Sequence, residues 1–147
     1  MTKFVRFFTL EDALSFMNEL HGLPVVPASA LRRQRLIRAS IVLSWVAVEE
    51  ALNEFVDSFS FAIRPDFPKS GKLLSQIEYA AKANGKVINT SELETSRRLR
   101  NDVTHARDAE VLKVALTEAH CRFVFDTCFA AIRAMSRDRI ECLLHPQ

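Results

Sequence analysis

Glycine and proline are scarce in this chain, with 3 Gly and 5 Pro among 147 residues. Sandwiches and barrels need these residues at their many tight turns, so the shortage argues against them and for long helices. The three cysteines include no CxxC pair. Cys121 and Cys128 are separated by about 10 Å along a helix face, whereas a disulfide needs Cα atoms within about 7 Å. We therefore expect three reduced, mostly buried thiols in a cytoplasmic protein.

A strong charge of one sign and a long apolar run are also missing. The net charge is +2, with 48% apolar and 26% charged residues, which is typical of a globular chain and too weakly basic to indicate nucleic acid by itself. The most apolar stretch, Ile41 to Val48, ends at Glu49 and is far shorter than the roughly 20 residues of a membrane span. Near the N-terminus, Glu11 and Asp12 interrupt any signal sequence. We expect no membrane association.

The helical pattern predicts one domain over residues 1–147, folded as an all-α, compact antiparallel bundle of four to five helices. The bundle core is expected at about 29–135, with a short N-terminal helix over 10–20 in front of it. Thr9 is the expected N-cap of that first helix, and the residues around Gly22 end it.

The second predicted helix runs from near Ser29 to near Ser58 and is the longest. An apolar stripe follows its face with a spacing of 4, 3, 4, 3 and 4, through Ile41, Trp45, Val48, Leu52, Phe55 and Phe59. Other apolar residues cover its remaining sides, which is typical of a helix central in a bundle or covered by a second subunit. Its first turns are basic, with Arg32, Arg33, Arg35 and Arg38.

Three further helices are predicted after a loop. One covers Lys72 to Ala83. The next begins at a capping box of Ser91 and Glu94 and runs to about Arg100. The last begins with Asp108 as N-cap and ends near Met135. The residues 101–107 then form a polar connection between the last two helices.

That connection begins with the sequence Arg100-Asn101-Asp102-Val103-Thr104-His105. Here the chain resembles the HEPN superfamily of helical bundles, whose signature is an Arg, an adjacent polar residue and a His four to six residues later, before the final long helix. Residues 48–53 of the second helix also resemble the family's earlier core helix, which often carries an acid there. The resemblance covers roughly 31–135. Arg139 and His145 repeat the bare spacing, but Ile140 occupies the polar position and no helix follows, so context favours the first match.

The residue types suit phosphoryl chemistry. A His titrates near neutral pH and can both accept and donate a proton, while an Arg is always charged and binds phosphate oxygens in pairs. The resemblance implies a metal-independent endoribonuclease that uses the 2′-OH of RNA and leaves a 2′,3′-cyclic phosphate. It also implies a homodimer with a composite site, in which each subunit brings an Arg and a His. Many members of the family are toxins or phage-defence effectors.

Each residue of the motif has an expected role under that resemblance. His105 is the general base or acid, and Arg100 binds the phosphate and stabilises the developing charge. Asn101 positions the phosphate or the Arg. Asp102 either orients His105 or caps the next helix. Glu49 is the expected partner of Arg100 across the helices, and it is expected to be more buried than its neighbour on the helical wheel.

Three further arginines surround the motif, namely Arg97, Arg98 and Arg107, and they are candidates for contact with the RNA backbone. A solvated charged face is the simpler interpretation of such a run. No cofactor and no metal are expected, because no HxxxH or CxxC spacing exists. The candidate protein partners are an antitoxin or a nucleotidyltransferase. The alternative to an enzyme is a non-catalytic HEPN module that binds a nucleotidyltransferase, another protein partner or a nucleotide. In that case the motif is structural.

Overall fold

The structure is a computed structural model that describes residues 4–5, 8–58, 66–69, 71–105, 116–136 and 139–140. Its α-helices are α1 (Phe8–Gly22), α2 (Ala30–Ser58), α3 (Leu73–Ala83), α4 (Thr90–His105) and α5 (Glu118–Met135), with a 3₁₀ turn at Pro27–Ser29. Two short strands, β1 (Phe4–Val5) and β2 (Arg139–Ile140), pair in parallel. The predicted all-α bundle of four to five helices is confirmed, and none of the described helices has the length and apolar character needed to cross a membrane.

Helix α2 lies at the centre of the bundle and contacts each of the other four helices. The predicted stripe is buried from Ile41 to Phe55, while Phe59 lies outside the described residues. Small buried side chains on the other sides of α2 leave room for the neighbouring helices, namely Ser40, Ser44, Ala47 and Ala51. The chain's own helices therefore account for the burial of α2, and no second subunit is needed to explain it.

Helix α1 belongs to the core rather than standing in front of it. The helix is longer than the predicted 10–20 and buries five residues against the bundle, namely Leu10, Ala13, Leu14, Met17 and Leu20. Thr9 lies within α1, and its hydroxyl donates to a carboxylate oxygen of Glu50 at 2.7 Å, so the predicted N-cap role is wrong. The core is accordingly wider than 29–135.

Two arginines in the first turns of α2 form hydrogen bonds with the ends of other helices. Arg33 donates from Nη1 to the carbonyl oxygens of Leu20 at 3.3 Å and Leu23 at 3.0 Å, around the end of α1. Arg38 donates from Nη2 to the carbonyl oxygen of Val103 at 3.4 Å, in the last turn of α4. Because the last four carbonyls of a helix lack partners within it, these two arginines stabilise two helix ends at the same end of the bundle.

The last two helices differ from the predicted ones at their ends. The side chain of Asn89 accepts a hydrogen bond from the Glu92 amide at 3.1 Å at the start of α4, so Asn89 replaces the predicted box of Ser91 and Glu94. The described part of α5 begins after Thr117, which forms a capping box with His120. The predicted N-cap Asp108 lies outside the described residues. The predicted ends of α3 and α5, at Ala83 and Met135, are confirmed.

Two of the three cysteines are described, and both are free and buried on α5, as predicted. Burial raises the pKa of the Cys121 thiol, and it raises that of Cys128 further. Neither thiol is therefore ionised to a useful degree at neutral pH. Cys142 lies outside the described residues.

Candidate functional site

The motif occupies the last two turns of α4, which continues through His105. The predicted polar connection is therefore wrong over residues 101–105, and the predicted helix end near Arg100 comes too early. Two contacts explain the continuation. Val103 is buried in the core, and Arg38 satisfies the carbonyl of Val103 from α2. The contact from Arg38 depends on a residue far away in the sequence, so no local signal at 101–105 predicts it.

Arg100 lies on the inward face of α4. The buried residues Leu93, Ser96 and Val103 are spaced so that Arg100 falls on the same stripe. Its side chain is only 25% exposed, although it carries a full charge. Arg100 is therefore a half-buried charged residue between α4 and α2.

The guanidinium of Arg100 is surrounded by two residues of α2. Its central carbon lies 5.6 Å from the centroid of the Trp45 ring, a distance at which the ring attracts a cation. Its Nη1 lies 3.9 Å from Oε1 of Glu49, which is the partner that the resemblance implies. Glu49 is half-buried and Glu50 is exposed, as the helical wheel predicts. Among the described residues, none accepts a hydrogen bond from the guanidinium, and its Nε is buried without a partner.

A buried polar contact lies directly beneath this arginine. The indole Nε1 of Trp45 donates to the hydroxyl of Ser96 at 3.1 Å. Both residues are buried, at 1% and 0% exposure. Burial raises the pKa of the nearby Cys128 thiol, and a hydrogen bond from Ser96 and the charge of Arg100 oppose that rise only in part. Arg100 therefore lies over a buried pair of side chains, Trp45 and Ser96, that are joined by a hydrogen bond.

Arg97 and Arg98 are engaged by a residue of their own helix. Arg97 donates to both carboxylate oxygens of Glu94, from Nε at 3.1 Å and from Nη2 at 2.9 Å. Arg98 donates to the same carboxylate at 3.2 Å. The bond from Arg97 is the main reason that the pKa of Glu94 is lowered, and the same pair raises the pKa of Arg97. The RNA contact expected of these arginines therefore competes with an existing ion pair.

The remaining motif residues have different environments. Asn101 is half-buried beside Arg100, and Asp102 is exposed. His105 is the last residue of α4, and its Cα lies about 7.5 Å along the helix axis from that of Arg100. The side chain of His105 and the whole of Arg107 lie outside the described residues.

Sequence reasoning missed Trp45 and Ser96 as neighbours of Arg100. The sequence indicates Trp45 only as part of the apolar stripe and assigns no role to Ser96. One signal was present: Trp45 precedes Glu49 by four residues, and Ser96 precedes Arg100 by four. If Glu49 faces Arg100, residues one turn earlier on the two helices are natural candidates to face each other as well.

A shallow groove of about 340 Å³ lies at the opposite end of α4, against the middle of α5, with Glu92 and Asp126 on its walls. No motif residue lines it. Within the described residues, no three His, Cys, Asp or Glu side chains come together as a metal site. The chain matches no family model, no curated protein and no solved structure. The case for the HEPN family therefore rests on the motif and on the order of the helices.

Proposed function

We propose that the chain is a HEPN-type endoribonuclease that cleaves RNA without a metal, with Arg100 and His105 as its catalytic residues. The observation that carries the proposal is the state of Arg100. It is a half-buried cation at the end of α4 whose guanidinium donates no hydrogen bond to a described residue. A guanidinium with free donors in a partly desolvated site suits a phosphate group.

The proposed reaction is a transfer within the RNA itself. His105 accepts the proton of the 2′-OH, and the 2′-oxygen attacks the adjacent phosphorus. The bond from phosphorus to the 5′-oxygen breaks, and that oxygen takes a proton from a second His. Arg100 holds the phosphate oxygens as their charge develops, and Asn101 positions the phosphate. The products are a 2′,3′-cyclic phosphate and a 5′-hydroxyl.

The second His comes from a second copy of the chain in this proposal. Five residues turn a helix by about 500°, so the Cα atoms of Arg100 and His105 lie about 140° apart around α4. A homodimer that brings two motifs to one cleft supplies a base and an acid together. Light scattering at micromolar concentration is expected to give twice the chain mass. A monomer that is nevertheless fully active would rule out the composite site.

The central experiment compares two histidine variants on a single-stranded RNA in EDTA. His105→Ala is expected to abolish cleavage, because it removes the group that moves the proton. His21→Ala is the matched control: His21 is exposed and pairs with Glu118 at 2.8 Å, remote in sequence from the motif. A substrate with a 2′-deoxy sugar at the cleaved position is expected to resist the wild type. Cleavage that survives in His105→Ala would reject the assignment.

A non-catalytic module is the second candidate, and the pairing of Arg97 and Arg98 with Glu94 favours it. With these two cations engaged, the surface near the motif offers less charge to an RNA backbone. Under this proposal the chain binds a protein partner, such as a nucleotidyltransferase, or a nucleotide. Wild-type protein that leaves RNA intact but retains a nucleotidyltransferase in a pull-down would favour the module over the toxin or defence enzyme.

A further inference from the structure

We propose that Trp45 and Ser96 are positioning residues, which fix the direction of the Arg100 guanidinium toward the phosphate. The inference rests on the proposed function, in which Arg100 binds that phosphate. It assigns a part in the reaction to two buried residues that would otherwise count only as core.

The geometry places two pairs of side chains opposite each other. Trp45 and Glu49 are one turn apart on α2, and Ser96 and Arg100 are one turn apart on α4. The lower contact joins Trp45 Nε1 to Ser96 Oγ at 3.1 Å. The upper contact joins Glu49 Oε1 to Arg100 Nη1 at 3.9 Å. The Trp45 ring also reaches Arg100, so the lower contact supports the upper one.

An aromatic ring is well suited to hold an arginine that must also bind a ligand. The ring attracts the cation through its quadrupole and needs no N–H donor from it. A carboxylate instead binds the donors themselves, as Glu94 does with Arg97. Trp45 therefore restrains Arg100 while leaving its hydrogen-bonding capacity for phosphate oxygens.

Ser96 fixes the ring in turn. An indole N–H buried at this depth needs an acceptor, and Ser96 supplies it. Removal of the hydroxyl leaves that N–H unpaired, and a tilt of the ring toward another acceptor then becomes favourable because it restores a hydrogen bond. Any tilt changes the surface on which the guanidinium rests, so the effect reaches the phosphate through Arg100.

The test measures the cleavage kinetics of Ser96→Ala and Trp45→Phe against Ser40→Ala. Ser40 is the matched control, since it is equally buried on α2 and its hydroxyl donates to the carbonyl oxygen of Leu36 at 2.8 Å, but it does not bond to Trp45. Displaced catalytic groups lower kcat, so we expect a fall of about tenfold in both test variants, with KM nearly unchanged. Ser40→Ala is expected to keep its kcat within about twofold. Equal losses in Ser96→Ala and Ser40→Ala would overturn the proposal.

A second comparison separates positioning from general damage to the core. The variant Arg100→Lys replaces the planar guanidinium with an ammonium group, which has no plane that Trp45 and Ser96 could orient. Ser96→Ala is therefore expected to have little further effect on kcat in that variant, so that the two changes are not additive. Full additivity would contradict the proposal. Thermal unfolding of each variant tests whether the variant is folded. If Trp45→Phe does not fold, the kinetics of Ser96→Ala alone decide whether the proposal holds.

A binding measurement keeps this inference distinct from the proposed cleavage. Trp45 is the only tryptophan in the chain, so its fluorescence reports directly on the surroundings of Arg100. An oligonucleotide with 2′-deoxy sugars cannot be cut by this route. It is expected to change the emission of the wild type but not that of Arg100→Gln, and to do so less in Ser96→Ala. If the wild type cuts no RNA, the proposed function fails alone; if the emission does not respond, the positioning role fails.

Discussion

Two arginines one helical turn apart on α4 show how differently the same side chain can be used. Arg97 is held by both oxygens of Glu94 at 2.9 and 3.1 Å. Arg100 rests over Trp45, has only a distant carboxylate at 3.9 Å and keeps a buried Nε without a partner. The number of positive charges near a motif therefore says little about function. What distinguishes a candidate ligand-binding arginine is that no described residue accepts a hydrogen bond from its terminal guanidinium nitrogens.

The largest expected effect separates these two arginines by activity. Arg100→Ala is expected to lower kcat by about a thousandfold, as loss of a donor to a developing oxyanion does. Arg97→Ala is expected to change kcat by no more than about twofold, because the donors of Arg97 are already engaged. The measurement is single-turnover cleavage of one RNA by both variants. A larger loss from Arg97→Ala than from Arg100→Ala would reverse the comparison.

A second prediction concerns stability and has the opposite sign at the two positions. Arg100→Met removes an unpaired buried donor, whose burden of about 1–3 kcal/mol exceeds a cation–π gain of about 0.5–1 kcal/mol. We expect the free energy of unfolding to rise by about 1 kcal/mol.

The matched change, Arg97→Met, breaks an ion pair and is expected to lower the urea midpoint slightly. Urea unfolding monitored by circular dichroism measures both variants. A less stable Arg100→Met protein would show that Arg100 is structural rather than held ready for a ligand.

The sequence predicted those parts of the site that depend on helical periodicity. The stripe of α2 and the partial burial of Glu49 follow from a spacing of about 3.6 residues per turn, and both are found. The proximity of Glu49 to Arg100 was implied by the family resemblance. The continuation of α4 to His105 could not be predicted, because it depends on Arg38, 65 residues before Val103. Tertiary contacts of this kind override local helix propensity.

The role of Glu94 was open to local reasoning and was nevertheless mistaken. Its spacing from Ser91 fits a capping box, while its spacing from Arg97 and Arg98 fits two ion pairs on one helix. The structure has the ion pairs, because Asn89 already caps the helix. The capping box and the ion pairs both require Glu94, and only the position at which the helix starts shows which of the two is formed.

The smallest expected effect tests the Glu94 side of the comparison by pH. Hydrogen bonds and charge from Arg97 and Arg98 lower the pKa of Glu94 below its ordinary 4.5. A carboxyl whose pKa is lowered by folding adds stability above its unfolded pKa and loses it as the pH falls through the folded value. Wild type is therefore expected to be slightly more stable than Glu94→Gln at pH 7.

The difference between the two proteins should shrink as the pH falls below about 4.5 and vanish once the carboxyl is protonated in both states. Thermal midpoints of both proteins, measured from pH 7 downward, give this difference directly. Because Glu94 does not touch Arg100, Glu94→Gln is expected to leave kcat unaltered at pH 7. A gap in the midpoints that widens in acid would mean that the pair with Arg97 destabilises the native helix. A fall in kcat would mean that the two arginines of α4 act together, and the distinction between an engaged and an available guanidinium would no longer explain the site.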